Sequence, residues 1–189
     1  MKKSIVISAL LYYAGWLGAI LGAAQGEPLL GTWIVSGVLL IGLIQGGRQE
    51  VGFAGLALLL GFGFETLLLE LGWVRYPEEV AGPLGLNPPI WMLLLWPLLM
   101  RTLADGQCLA WTKGRWVVCI LFGAVGGGVA YYGGNSLGAL EFIKEDKIMT
   151  ATGIGIGWGV LFPLLSMGRQ YMETQMFMNS PVEKENKDG

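Results

Sequence analysis

VGFAGLALLLGFGFETLLLELG, residues 51–72, is the stretch that decides how this chain folds. At ~1.5 Å per residue a helix of this length reaches about 33 Å, enough to cross a hydrocarbon core of roughly 30 Å. Its only charged members are Glu65 and Glu70. Ala54, Ala57, Gly61, Glu65 and Gly72 recur at helical spacing, so they share one face, the narrow face expected to turn toward other helices.

Five further apolar stretches flank it, at residues 4–24, 28–45, 89–107, 115–133 and 148–168. The fold class read from them is all-α: a polytopic membrane protein, a compact bundle of six transmembrane helices over residues 1–168. Residues 169–189 follow as a polar cytoplasmic tail, helical at first and disordered at its end. Composition agrees, because 53% of the residues are hydrophobic and only 14% charged, against about 25% charged in soluble domains. Short links make the first three helices antiparallel neighbours. The longer stretches 73–88 and 134–147 read as outer loops, the first folded over the mouth of the bundle. Pro97 is expected to kink the helix 89–107 near Leu93.

The basic residues alternate between connections. One face receives Lys2, Lys3, Arg48, Arg101, Lys113, Arg115, Arg169, Lys184 and Lys187, and the other only Arg75, Lys144 and Lys147. Positive charge is retained in the cytoplasm, so both termini are expected there. The start of the chain imitates a secretory signal, with Lys2-Lys3, an apolar run and small residues at 22–24. The run exceeds a typical signal core and carries Tyr12, Tyr13 and Trp16, so an uncleaved first helix is expected.

Several chemistries are excluded. The chain has no histidine and two cysteines, Cys108 and Cys119, which removes His-based triads and Cys/His metal sites. No metal and no cofactor are expected. A net charge of −2 without a basic stripe gives no support for nucleic-acid binding.

Three constellations remain. Ionisable groups within an apolar span are costly and have a partner or a task. Glu65 is the clearest, either as a proton-sensitive carboxylate or headgroup anchor, or as a structural acid hydrogen-bonded to an indole or a backbone carbonyl. Glu70 lies nearer the outer boundary. Trp16, Trp96 and Trp158 fall near mid-span rather than at helix ends. Around Glu65 they would line an apolar pocket suited to an acyl chain, with ordinary packing as the alternative. At the basic face Arg101 and Asp105 stand at i and i+4 and are expected to pair. Arg48 and Glu50 open at the same face, forming either a headgroup site or an ion-pair cluster. Glycine is abundant at 31 residues, and Gly123/Gly127, Ala124/Gly128, Gly153/Gly157 and Gly155/Gly159 are small-xxx-small pairs that draw the last two helices together. The same stripes also suit a second copy or a membrane protein partner.

The order of these features resembles a bacterial inner-membrane family, domain of unknown function 2878. It runs from Leu10-Leu11, Gly15-Trp16 and Gly22 through Arg48-Gln49-Glu50, Gly61 and Glu65. Pro89-x-Trp91, Leu95-Trp96 and Thr102-Leu103 come next, then Gly123-Ala124, Tyr131-Tyr132-x-Gly134, Leu137-Gly138-Ala139 and Trp158 to Pro163. The resemblance implies aspartate as the usual acid at Glu65 and asparagine near Ser8. It also implies a neighbourhood of fatty-acid-modifying and photo-oxidative-stress functions, which tilts the reading toward membrane lipid.

Three function classes follow. The first is an accessory or lipid-handling protein of membrane lipid metabolism or stress response, with membrane lipid as its partner. The second is a small proton-coupled transporter or channel using Glu65. The third, least supported, is a lipid-modifying enzyme using Glu65, Arg101 or Asp105, since no nucleophile–base pair is evident.

Overall fold

The computed structural model describes residues 2–82 and 84–178, with side chains from Ile5 onward. Its main elements are helices: α1 (Lys2–Ala24), α2 (Pro28–Gly46), α3 (Gln49–Glu70), the short α4 (Glu78–Ala81), α5 (Ile90–Thr102), α6 (Trp116–Leu137) and α7 (Lys147–Met178). Five of them, α1, α2, α3, α6 and α7, are long and apolar enough to cross a membrane. Their outer faces carry Ile44, Leu59, Val125 and Ile156 without cover. So much unpartnered aliphatic surface is at home in hydrocarbon rather than water. The chain is an α-helical membrane protein.

The helix boundaries have local causes. Gly47, at φ +74°, closes α2, and its amide caps the Leu43 carbonyl. Gly138, in the left-handed region at φ +89°, ends α6. The Asp146 carboxylate accepts the Ile148 and Met149 amides at 3.0 and 2.9 Å and so starts α7. That helix then runs unbroken past Arg169 to Met178; residues 179–189, the end of the expected tail, lie outside the described residues.

The fourth apolar stretch departs from expectation. The sequence predicts a helix through residue 107, whereas α5 has 13 residues and stops at Thr102. There the Thr102 hydroxyl donates to the Leu99 carbonyl at 2.6 Å. The chain then turns through Gly106, at φ +76°, into a single 3₁₀ turn at Ala110–Thr112. Hydropathy continued past the break because Leu103, Ala104, Cys108 and Leu109 are apolar; Asp105-Gly106 was the local turn signal. Irregular backbone at such depth needs internal partners. Leu103 and Thr112 are fully covered, and the Cys108 amide donates to Ser8 Oγ at 3.2 Å. Pro97 lies buried within α5, which continues on both sides of it.

The packing has two parts. α6 and α7 pack against each other along their length, while α1, α2 and α3 gather around α5. α2 and α3 touch only sparsely despite their short link, and α5 packs against both. The α6–α7 pair is close because both helices lack side chains at the crossing. A Cβ on Gly155 would sit 2.5 Å from the Ala124 carbonyl oxygen, and one on Gly128 would sit 2.9 Å from that of Ala151. The small-xxx-small reading is thus realised between them by Gly123/Gly127, Ala124/Gly128 and Gly155/Gly159, whereas Gly153 and Gly157 face Trp73 and Phe64 instead.

The loop 73–88 contributes a two-residue strand β1 (Val74–Arg75), paired antiparallel with β2 (Glu141–Phe142). Strands this short carry no alternation to read in a sequence. They tie the two outer loops together, and Val74, Tyr76 and Val80 are buried beneath them.

Candidate functional site

Glu65 lies on the inward face of α3, in line with Ala57 and Gly61, and is 0% exposed. Three donors from three different segments converge on its carboxyl group. The Tyr76 hydroxyl, from the loop after β1, donates to Oε2 at 2.7 Å. The Trp96 indole N–H, from α5, donates to Oε1 at 3.2 Å, and the Tyr131 hydroxyl of α6 closes on the same oxygen. An indole N–H only donates, whereas a tyrosine hydroxyl donates or accepts. The cage therefore serves an ionised carboxylate receiving three bonds, or a neutral acid that gives its proton to one tyrosine.

Gly61 makes the arrangement possible. A Cβ there would fall 2.3 Å from Cγ of Trp96, so only glycine lets the indole cross α3 one turn before Glu65. Trp96 stacks on Trp158 of α7, with centroids 4.6 Å apart and planes 17° from parallel. Phe64 sets its edge against Trp96, Tyr131 and Trp158 at 5.9, 6.4 and 6.1 Å. Such edge-to-face and offset contacts favour aromatic pairs. The Tyr76 ring is held in turn by Trp91 at 6.0 Å, and the Trp91 N–H bonds the Val80 carbonyl at 2.8 Å.

This aromatic wall bounds a cavity of about 580 Å³ between α1, α5, α6 and α7. Trp16, Glu65, Trp96, Tyr131 and Trp158 contribute to its lining. Along α1 it extends from Ala9 to Ile20 and along α6 from Phe122 to Gly133, about 16 Å at ~1.5 Å per residue. Its size falls within the roughly 300–1,000 Å³ of small-molecule sites. Its wall between α1 and α6 includes Gly126, which is exposed and has nothing within 4 Å of a would-be Cβ.

At the basic end of the bundle Arg169 is the centre of an ion-pair network and only 3% exposed. It grips Glu50 with two nitrogens at 2.7 and 3.2 Å, takes Glu173 through Nε at 2.8 Å, and lies 3.8 Å over the Phe53 ring. Lys113 joins Glu173 and Asp105, each at 2.5 Å. Arg101 stands 3.7 Å from Glu50 and donates to Gln45 Oε1 at 2.8 Å.

The family model described as Protein of unknown function (DUF2878) matches residues 5–164. The chain belongs to the DUF2878 family. No curated protein and no solved structure matches it. For this DUF2878 protein the geometry above is therefore the direct source of functional argument.

The structure brings some of the sequence candidates together and separates others. Glu65 and Trp96 are bonded, Trp158 is one ring further, and Trp16 is a half-buried part of the cavity wall. Glu50 and Arg101 meet. Arg48 is exposed and makes no ion pair among the described residues. The expected Arg101–Asp105 pair does not form. It needs a helical turn beyond Thr102, but α5 has ended, and Asp105 turns out to Lys113 with 87% of its side chain exposed. Tyr76, Tyr131, Arg169, Lys113 and Glu173 are the participants that sequence reasoning missed. The tyrosines had one usable signal: each can donate to a buried acid.

Proposed function

We propose that this protein binds one apolar chain of a membrane lipid, taken up sideways between α1 and α6 and held against the Trp96–Trp158 wall. The observation that carries this reading is the long, aromatic-lined cavity whose wall between α1 and α6 includes the bare glycines Gly126 and Gly133. Two further features support it: the slot is elongated along the helices, and its polar element Glu65 is held by protein donors. Glu65 then serves to fix the wall, by joining α3, α5, α6 and the outer loop at one carboxyl group.

In this reading the chain crosses a bacterial inner membrane six times, with both termini cytoplasmic. α5 and the turns up to Lys113 together make the fourth crossing. Support comes from the charges: Arg48, Arg101, Lys113, Arg115 and Arg169 gather at one end of the bundle, Arg75, Lys144 and Lys147 at the other. The lipid bound this way suits an accessory role in membrane lipid metabolism.

Native mass spectrometry of the purified protein tests this. The wild type is expected to retain one chain-bearing molecule. Gly126→Phe adds a ring to the cavity wall, at a position where a Cβ meets nothing within 4 Å, and is expected to lose it, with thermal stability kept. A Gly126→Phe protein carrying the same adduct in the same amount would overturn the reading.

A further inference from the structure

A second cavity, of about 350 Å³, lies beside the first, between α1, α2 and α5 at the basic end. Tyr12 lines both. Among the described residues Arg101 is the one charged side chain in the wall of the second cavity, and no carboxylate lines it. The remaining polar wall is made by Ser8, Gln45, Thr102 and Gln107.

The buried Arg169 and the half-buried Arg101 of this end differ in how they are satisfied. Arg169 takes both oxygens of Glu50 and one of Glu173. Arg101 is left with the far side of the same Glu50, at 3.7 Å, and one hydrogen bond to Gln45 among the described residues, with 14% of its side chain exposed. A guanidinium has five N–H donors, so Arg101 has most of its donors to spare. Its neighbours are donors too. Gln45 presents its oxygen to Arg101, which keeps its NH2 group available. Ser8 Oγ already accepts the Cys108 amide, which leaves its own O–H to give. The Gln107 amide and the Tyr12 hydroxyl add two more. A pocket with one under-neutralised cation, a surplus of donors and no acid in its wall is built for an anion.

The geometry points to an anion-binding pocket at Arg101 that takes the carboxylate or phosphate head of a single-chain amphiphile whose tail lies in the lateral cavity. The tail assignment rests on the lipid-chain reading above. Tyr12, which lines both cavities, stands at their junction. Arg101, in the last turn of α5, also places positive charge at the negative end of the helix dipole.

The test uses the full chain in detergent and four probes: a fatty acid, the lysophosphatidic acid and the monoacylglycerol of the same chain length, and inorganic phosphate. The wild type is expected to bind the two anionic amphiphiles about tenfold to a hundredfold more tightly than the neutral one, the worth of a charge-assisted hydrogen bond. Arg101→Gln should erase that preference while leaving monoacylglycerol affinity in place, and Arg101→Lys should retain part of it. Should Arg101→Gln not fold, Val38→Phe, which fills the same cavity, is expected to erase the preference instead. Equal affinity for charged and neutral amphiphiles in the wild type overturns the proposal, as does a preference that survives both substitutions. Tight binding of inorganic phosphate that no anionic amphiphile displaces assigns the pocket to a free anion and overturns the amphiphile. Gly126→Phe separates the two readings. If it leaves monoacylglycerol binding unchanged, the chain cavity fails, and the head pocket is judged on the anionic preference alone.

Discussion

Replacing Glu65 by leucine removes the one acceptor shared by Tyr76, Trp96 and Tyr131 and leaves three donors inside the bundle with nothing to meet. In water-soluble cores each stranded donor costs about 1–3 kcal/mol. Within a bilayer the measured worth of side-chain hydrogen bonds is lower, averaging ~0.6 and reaching ~1.7 kcal/mol, because the separated helices find other partners. Three bonds therefore come to about 2 kcal/mol, with an upper bound near 5. Glu65→Gln keeps the shape and one acceptor oxygen but adds an amide NH2 that a tyrosine must turn to accept, so a loss of about 1 kcal/mol is expected. Equilibrium unfolding in mixed detergent micelles measures both, and Tyr131→Phe supplies the cycle partner. Coupling between Glu65→Gln and Tyr131→Phe should reach at least ~0.5 kcal/mol, as for residues in one network. A Glu65→Leu protein within ~0.5 kcal/mol of wild type, with no coupling to Tyr131, would refute the claim that this carboxyl group fastens the bundle.

Two further predictions concern other joints of the fold. Arg169→Met leaves Glu50 and Glu173 without their principal cation in a 3% exposed position and should cost about 3–5 kcal/mol, whereas Asp105→Asn, on a side chain 87% exposed, should change unfolding by less than about 0.5 kcal/mol. Gly155→Leu drives a side chain into the Ala124 carbonyl and must part α6 from α7, so detergent-solubilised yield and melting temperature should both fall; Gly63→Ala, with nothing within 4 Å, should leave them unchanged or slightly raised.

What the sequence made legible was what periodicity and charge can encode locally. The inward face of α3 was readable because Ala57, Gly61 and Glu65 keep helical step, and the α6–α7 contact because their glycines do. The partners of Glu65 were not readable: Tyr131 lies 66 residues away and Tyr76 belongs to a loop, so only tertiary packing brings their hydroxyls to one carboxyl group. Arg169 was counted as a topological anchor. Charge counting treats every basic side chain at a membrane face alike, and cannot show that one of them turns inward to Glu50. Asp105 failed for the converse reason, since i,i+4 pairing presumes a helix and the backbone had already left it at Thr102.

The lateral cavity follows from the same glycines that bind α6 to α7. Gly123 and Gly127 face α7, and a Cβ on Gly127 would stand 2.1 Å from Cγ of Trp158, so the absence of a side chain there lets the indole reach its stack with Trp96. Gly126 and Gly133, on the flank toward α1, have no neighbour to accommodate and leave the gap unfilled. An apolar-lined gap of about 580 Å³ is costly to leave dry, because its lining loses dispersion contacts. Hydrocarbon is the filling a bilayer supplies. Any bulk lipid tail would relieve that cost, but a bulk phospholipid keeps its head at the surface and gains nothing from Arg101. An amphiphile that reaches both cavities is distinguished from bulk lipid by its head alone, and this makes Arg101, rather than the larger aromatic cavity, the place where selectivity would reside.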